Sequence, residues 1–165
     1  MTIVLNVTIL FATVVAMEGI ANVTHRFVMH GFGWNWHRSH HEPRVGRWEK
    51  NDLYALVFAA LSIGLFAVDD LGFGVLFWIG LGMMFYGVLY ALLHDALVHR
   101  RFRIPFEPRS PYLKRLIQAH RIHHAVIDRD GAVSFGFLYA APPAALARAL
   151  RESRLAQRGS AETGS

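Results

Sequence analysis

The ten histidines of this chain fall into four groups, and the spacing within each group suits a set of metal ligands. On an α-helix, offsets of three and four residues return to one face, so each His-x-x-His-His triplet can direct three imidazoles at a single point. Neutral imidazole is the commonest protein ligand for transition metals, and no histidine lies outside these groups. The sequence therefore predicts a metal site built from all ten: the triplets His37, His40, His41 and His120, His123, His124, and the pairs His25, His30 and His94, His99.

The number of histidines predicts two metal ions, since zinc takes four ligands and an octahedral ion takes six. Imidazole suits iron, zinc and copper, so ligand type alone does not name the metal. The chain has no cysteine, which excludes thiolate-bound iron–sulfur clusters and cysteine zinc fingers. His25 and His30 are about 140° apart around a regular helix. Either that helix ends near Gly31, or the two residues bind different metals.

The charges are segregated along a chain that is 53% hydrophobic and has a formal net charge of +5. Five of the 17 lysines and arginines lie in residues 22–52 and twelve in residues 94–165, whereas residues 1–21 and 53–93 contain none. This arrangement is typical of a membrane protein and argues against nucleic acid as a partner.

Three apolar segments, residues 3–23, 53–68 and 71–93, are predicted to form membrane-spanning helices. The last two are joined by Asp69-Asp70, so they should form an antiparallel hairpin. A fourth apolar stretch, Ala132 to Leu150, is interrupted by Pro142-Pro143 and is predicted to form a re-entrant or interfacial helix. We expect an all-α integral membrane protein with three full spans, a proline-broken fourth apolar helix and a histidine-rich cap.

The topology brings the four histidine groups to one face of the membrane, because the hairpin leaves that face after Asp52 and returns to it at His94. The basic segments predict that this face is cytoplasmic. We expect residues 1–156 to form one membrane-embedded domain and residues 157–165 to be a disordered tail.

Several polar residues adjoin the predicted ligands. Glu18 is expected either to support the histidines or to lie near the membrane interface, and both alternatives stay open. Asp95 and Glu42 could orient imidazoles or be solvated loop residues. Asn51 is predicted to cap the helix that follows it, together with Asp52. Ring-contacting candidates are aromatic residues on the membrane helices: Phe27, Phe85, Tyr86 and Tyr90.

An all-nitrogen dimetal site beside apolar helices is suited to activating O₂ against a C–H bond of a lipid. No nucleotide-binding glycine fingerprint is present, so the reducing electrons should come from a separate protein.

The histidine set resembles the fatty-acid hydroxylase and desaturase superfamily. Between about His25 and Gly136 the chain also contains five longer phrases: His40-His41-Glu42-Pro43-Arg44, Trp48-Glu49, Asn51-Asp52-Leu53-Tyr54-Ala55, His94-Asp95-Ala96-Leu97-Val98-His99 and Gln118-Ala119-His120-Arg121-Ile122-His123-His124-Ala125-Val126. With these phrases the chain resembles, more narrowly, the bacterial β-carotene hydroxylase family.

This resemblance implies a non-haem di-iron monooxygenase that holds two iron ions on the ten histidines and uses O₂ as co-substrate, with zinc able to substitute in purified protein. It also implies a ferredoxin-type electron donor, a lipid environment in the bacterial inner membrane and a carotenoid substrate. The implied reaction is hydroxylation at C3 of the β-ionone rings, from β-carotene through β-cryptoxanthin to zeaxanthin. The alternatives are a carotenoid ketolase, a lipid desaturase or hydroxylase with the same histidine set, or a non-catalytic membrane metal-binding protein.

Overall fold

The computed structural model describes residues 2–44, 46–70, 72–102 and 104–163, and every regular element within them is helical. The all-α prediction is therefore confirmed. Two of the helices widen into π-helices at their carboxyl ends, which is where the histidine pairs lie. The elements are α1 (Ile3–Val23) with its π-helical extension Thr24–Phe32, α2 (Trp34–His41), α3 (Asp52–Val68), α4 (Val75–Tyr90) with its π-helical extension Ala91–Val98, α5 (Pro111–His123) and α6 (Pro143–Thr163).

Two helices in the described part of the chain are long and apolar enough to cross a membrane. They are α1 with its extension, Ile3–Phe32, and α4 with its extension, Val75–Val98. The apolar helix α3 is shorter, at 17 residues, which gives a length of about 26 Å. Two of the three predicted spans thus reach spanning length in the structure.

Helix α4 packs against both α1 and α3, and two of its glycines allow the close approach. A Cβ atom on Gly80 would lie 2.9 Å from Phe66 on α3, and one on Gly82 would lie 2.7 Å from Thr13 on α1. The Ser62 hydroxyl donates a hydrogen bond to the Gly80 carbonyl oxygen at 2.8 Å. These contacts fix α1, α3 and α4 as one bundle, and the extensions at the carboxyl ends of α1 and α4 carry the histidine pairs.

The prediction of a fourth apolar helix from Ala132 to Leu150 is wrong for the first half of that stretch. Residues 124–142 form turns and extended backbone, and the helix begins only at Pro143. Gly131 has φ +96 and Ser134 has φ 67, which are left-handed conformations that interrupt a helix. Proline also disfavours helical geometry in the residue before it and is well placed at a helix start. The extended segment instead lies against the histidines.

Helix α6 continues to Thr163 and so covers residues 157–163 of the predicted tail. The domain boundary after residue 156 and the disorder of the tail stay predictions. The middle of α6 is hydrogen-bonded to the turn before the extended segment. The Ser153 hydroxyl donates to the Gly131 carbonyl oxygen at 3.1 Å, and the Gln157 amide donates to the Asp130 carbonyl oxygen at 3.0 Å. Residues 164 and 165 lie outside the described part of the chain.

Candidate metal centre

The fold brings all ten histidines into one continuous cluster. Eight of them are buried, and the most deeply buried are His25, His37 and His123, each at most 1% exposed. The side chains come from the π-helical extensions of α1 and α4, from α2 and from the end of α5. Elements distant in sequence therefore converge at one end of the helix bundle, as the sequence predicted.

The histidines divide into two groups that could each hold one metal ion. Group one contains His25, His30, His37, His41 and His123. Group two contains His40, His94, His99 and His120. Within each of these sets, one ligand nitrogen per residue lies within 4.8 Å of all the others. His124 also belongs at group two, since its Nε2 atom lies 2.8 Å from Nε2 of His120.

Each triplet is split between the two groups, so the prediction that a triplet directs three imidazoles at one point is wrong. The first and third members, which are four residues apart, lie in one group, and the middle member crosses to the other. Around a helix axis, the third histidine of a triplet lies only about 40° from the first. The middle histidine lies about 60° from the first in the opposite direction. His40 and His123 are the two crossing residues.

The π-helical extensions explain the pairs that are five residues apart. In a π-helix the hydrogen bonds run from residue i to residue i+5, which aligns such residues on one face. The His99 amide donates to the His94 carbonyl oxygen at 3.0 Å, and these two rings are 4.5 Å apart between centroids. The His25 and His30 rings are 5.3 Å apart. Each pair therefore lies within one group. Of the two alternatives for His25 and His30, the first is confirmed, because the helix is interrupted at Gly31, which has φ -108 and ψ -125.

Seven of the imidazoles are oriented by an oxygen acceptor on Nδ1. Three acceptors are side chains: Asn51 Oδ1 lies 2.7 Å from His37, Glu49 Oε2 lies 3.1 Å from His40, and Asp95 Oδ1 lies 2.8 Å from His94. The other four are carbonyl oxygens, which bind His25 (Phe135, 2.9 Å), His30 (Arg129, 2.7 Å), His41 (Val126, 2.8 Å) and His123 (Val133, 3.2 Å).

These acceptors determine where the proton of each neutral ring lies. A carbonyl oxygen can only accept, so Nδ1 must carry the hydrogen and Nε2 must present a lone pair. The Nε2 atoms face one another: His25 and His41 lie 3.1 and 3.2 Å from His37, and His40 lies 3.0 Å from His94. Lone pairs at that distance repel unless a cation lies between them.

The spacing of these nitrogens fits a bound metal ion. Two ligand nitrogens that are each about 2.1 Å from a metal, at a right angle, are about 3.0 Å apart. The Nε2 to Nε2 distances in group two are 3.0 Å for His40 and His94, 2.9 Å for His99 and His120, and 2.8 Å for His120 and His124. The chemistry of the donor set thus suits a transition metal in each group.

Burial keeps the imidazoles outside the spanning helices neutral, as metal binding requires. It lowers the pKa of His37 to about 3, of His41 to about 4 and of His99 to about 3. It also lowers the pKa of His123 well below the ordinary value. Desolvation of Glu49, in turn, raises the pKa of its carboxyl group.

Two of the neighbouring residues have other partners than the sequence suggested. Glu42 forms an exposed ion pair with Arg38 at 2.7 Å and contacts no imidazole in the described part of the chain. Asn51 makes no capping bond with its side chain, which binds His37 instead. The possible role of Asp95 in orienting an imidazole is confirmed by its bond to His94. Glu49 was missed, although it lies in one of the phrases that carry the family resemblance.

An apolar cavity of about 460 Å³ lies between α1, α3 and α4 and reaches the polar partners of the histidines. Asn51 and Asp95 line one end of it, and Phe66 on α3 lines another part. Two of the four ring-contacting candidates, Tyr86 and Tyr90, also line it. The other two, Phe27 and Phe85, are not among its lining residues and are 61% and 50% exposed.

Comparison with known proteins identifies the family of this chain. The family model for fatty acid hydroxylase matches residues 10–140. The chain belongs to the fatty acid hydroxylase family. It is 55% identical over 156 residues to a protein named beta-carotene hydroxylase from Pantoea ananas, covering 94% of this chain and 89% of that one. It is 52% identical over 149 residues to a beta-carotene hydroxylase from a Paracoccus species, covering 90% and 92%.

A plant relative is more distant. Beta-carotene 3-hydroxylase 1, a chloroplastic protein of Arabidopsis thaliana, is 40% identical over 126 residues, which cover 74% of this chain and 40% of the plant protein. No solved structure matches the chain. Family membership together with the buried histidine groups indicates a hydroxylating oxidoreductase that is consistent with iron binding. The two long apolar helices and the family indicate a membrane protein.

Proposed function

We propose that this chain is an O₂-dependent di-iron monooxygenase that hydroxylates C3 of carotenoid β-ionone rings, converting β-carotene to β-cryptoxanthin and then zeaxanthin. The observation that carries this proposal is the 52–57% identity to four bacterial beta-carotene hydroxylases over 88–94% of the chain. The two buried groups of imidazoles beside an apolar cavity support it, because they combine a metal donor set with a space suited to a hydrocarbon.

Group one and group two would each hold one iron ion, and zinc would occupy the same nitrogens in protein purified without iron. When bound, the irons supply the reductive activation of O₂. The chain's own residues hold the imidazoles in the right tautomer through Asn51, Glu49, Asp95 and four carbonyl oxygens. This arrangement leaves the Nε2 lone pairs facing the metal positions without any rearrangement.

The cavity between α1, α3 and α4 would receive the β-ionone ring. Its lining is mostly apolar side chains from the three helices, which would exclude water and accept a hydrocarbon directly from the lipid. Tyr90 lines the cavity and stacks on the His94 ring at 4.3 Å between centroids. A ring that enters the cavity is thereby brought next to the imidazoles of group two.

In the proposed topology, three helices span the inner membrane and the histidine groups lie on the cytoplasmic face, where a ferredoxin-type donor would deliver electrons. The acidic hairpin turn Asp69-Asp70 would lie on the periplasmic side. A reporter fused after Ser165 should therefore indicate the cytoplasm, and one inserted in the hairpin turn should indicate the periplasm. A cytoplasmic hairpin turn would contradict this topology, because the hairpin would then not cross the membrane and the single-faced site would lose its topological support.

Expression of the chain in bacteria that make β-carotene tests the function itself. We expect β-cryptoxanthin and zeaxanthin to form, identified by chromatography and mass spectrometry against standards. A 4-keto product would indicate a ketolase, and a new double bond would indicate a desaturase. Unchanged β-carotene, with a cellular role that persists without oxygen, would favour a non-catalytic metal-binding protein.

A further inference from the structure

Phe137, in the extended segment before α6, touches imidazoles of both groups. Its ring stacks on His25 of group one, with 5.4 Å between centroids and 7° between planes. It meets His94 of group two edge-on at 5.3 Å and lies 6.3 Å from His120 of the same group. A single aromatic side chain that offers no metal ligand therefore spans the two proposed metal positions.

The same side chain forms a wall of the cavity. Phe137 lines the cavity of about 460 Å³ and also a second cavity of about 20 Å³, which is bounded by His94 and His120. Tyr90 packs edge-on against it at 4.8 Å. Phe137 thus stands between the space open to a hydrocarbon and the imidazoles of group two.

Glu18 fixes the backbone that carries Phe137. One carboxylate oxygen accepts hydrogen bonds from the amides of Phe137, Leu138 and Tyr139 at 2.9, 3.0 and 3.1 Å. The other accepts from the Tyr86 hydroxyl at 2.8 Å. A carboxylate within the apolar helix α1 is thereby satisfied entirely by the extended segment and α4. Glu18 contacts no imidazole in the described structure, so its support of the histidines passes through the extended segment, and its position relative to the membrane interface stays a prediction.

The backbone at Gly136 packs closely against Glu18, so the extended segment has little room to move. A Cβ atom on Gly136 would lie 2.7 Å from the Glu18 carboxylate and 2.8 Å from the Tyr139 carbonyl oxygen. The same segment supplies the carbonyl oxygens of Val133 and Phe135 that orient His123 and His25. Phe137 is consequently held in register with the imidazoles by short, directed bonds.

We propose that Phe137, held in place by Glu18 and Tyr86, is a specificity-determining residue that sets which ring carbon faces the two histidine groups. The inference rests on the proposed function. A β-ionone ring has no polar group by which it could be oriented, so only the shape of the wall nearest the imidazoles can select one carbon over its neighbours. A misplacement of about 1 Å at the reacting carbon can cost about a hundredfold in rate.

The test replaces Phe137 by alanine and by leucine and compares both with Phe58→Ala. Phe58 is a matched control because it lines the same cavity from α3 and makes no ring contact to a histidine in the described structure. We expect Phe137→Ala to lower the ratio of C3 product to C2 and C4 products about tenfold or more, in line with what pocket shape contributes to selectivity. Phe137→Leu should show a smaller loss. Phe58→Ala should keep the wild-type ratio, and all three should keep their iron.

Glu18 provides a second arm that separates positioning from general stability. Glu18→Gln keeps an oxygen for the three amides and a donor for the Tyr86 oxygen, so it should keep most of the selectivity. Glu18→Ala removes the acceptor and should reproduce the mixed products of Phe137→Ala. Rescue by glutamine but not by alanine is expected only if the carboxylate acts by holding the segment.

The proposal is overturned if both Phe137 variants give the wild-type product ratio, or if Phe58→Ala lowers it equally. It is also overturned if both Phe137 variants lose their iron, because Phe137 would then serve the metal site alone. A wild-type protein that makes no hydroxylated carotenoid refutes the proposed function instead. In that case the role of Phe137 is tested by the induced circular dichroism of β-carotene that is bound without an electron donor. Its loss in Phe137→Ala but not in Phe58→Ala supports positioning, and its retention in both contradicts it.

Discussion

Replacing Asn51 by alanine should weaken iron binding at group one without removing any metal ligand. The Asn51 side chain is 5% exposed, and its oxygen accepts the Nδ1 hydrogen of His37, which is 1% exposed, at 2.7 Å. Alanine leaves that buried donor without a partner, which costs about 1–3 kcal/mol. Loss of a partner behind a ligand typically lowers metal affinity about 10–100-fold, which is about 1.4–2.7 kcal/mol. The first figure applies to the stability of the fold and the second to metal binding.

The assay is iron retention by the purified protein against increasing concentrations of a chelator. We expect one of the two irons to leave Asn51→Ala at a chelator concentration about 10–100-fold lower than in the wild type. Asn51→Asp is the matched control, because it keeps an oxygen acceptor at the same position. It should retain both irons more tightly than the alanine variant.

Asn51→Ser tests the reasoning against the simpler role of a helix cap. Serine is a good residue at the start of a helix but is too short to reach His37. If the asparagine acts as the partner of His37, serine should fail as alanine does. Wild-type iron retention in Asn51→Ser, or in Asn51→Ala, would refute the assignment.

Further predictions concern one ligand, one glycine and the dependence on pH. His123→Ala should abolish hydroxylation while the protein still inserts, because His123 is a ligand that is 0% exposed. Arg121→Ala, a change at an exposed residue of the same helix, should keep most activity. Product analysis measures the activity of both variants. Gly136→Ala should lower the free energy of unfolding by about 1–3 kcal/mol through overpacking, whereas Gly87→Ala, with open space around it, should not. Burial lowers the pKa of His41 from 6.5 to about 4. Between pH 6.5 and 4 the folded state therefore binds fewer protons at His41 than the unfolded state does. The contribution of His41 to the free energy of unfolding is complete above pH 6.5 and falls by up to about 3 kcal/mol as pH drops towards 4. Acid unfolding monitored by circular dichroism checks this, and stability that rises below pH 6 would contradict it.

The residues that form the site could be predicted from the sequence because histidine is distinctive and its spacing is local. The apolar segments that carry the pairs could be predicted for the same reason, since hydrophobic runs require no knowledge of tertiary contacts. The division of the triplets could not. His40 and His123 lie on the other side of their helices from the first and third histidines, and the packing of the helices decides which group each side faces.

The residues that orient the imidazoles were harder to predict because most act through the backbone. The carbonyl oxygens of Val126, Arg129, Val133 and Phe135 have no signature in side-chain type. The widening of a helix into a π-helix at His25 likewise has no compositional signal, although a spacing of five between histidines indicates it in retrospect. The role of Glu18 depends on a segment more than one hundred residues away, which was predicted to be helical.

The most direct test of the proposed chemistry is the source of the oxygen in the product. The purified, iron-loaded protein is supplied with β-carotene, reduced ferredoxin and isotopically labelled dioxygen, and the C3 hydroxyl is analysed by mass spectrometry. We expect the label in the hydroxyl group, two irons per chain and no product from His123→Ala. An unlabelled hydroxyl, or equal product formation by the iron-free protein, would contradict a di-iron monooxygenase.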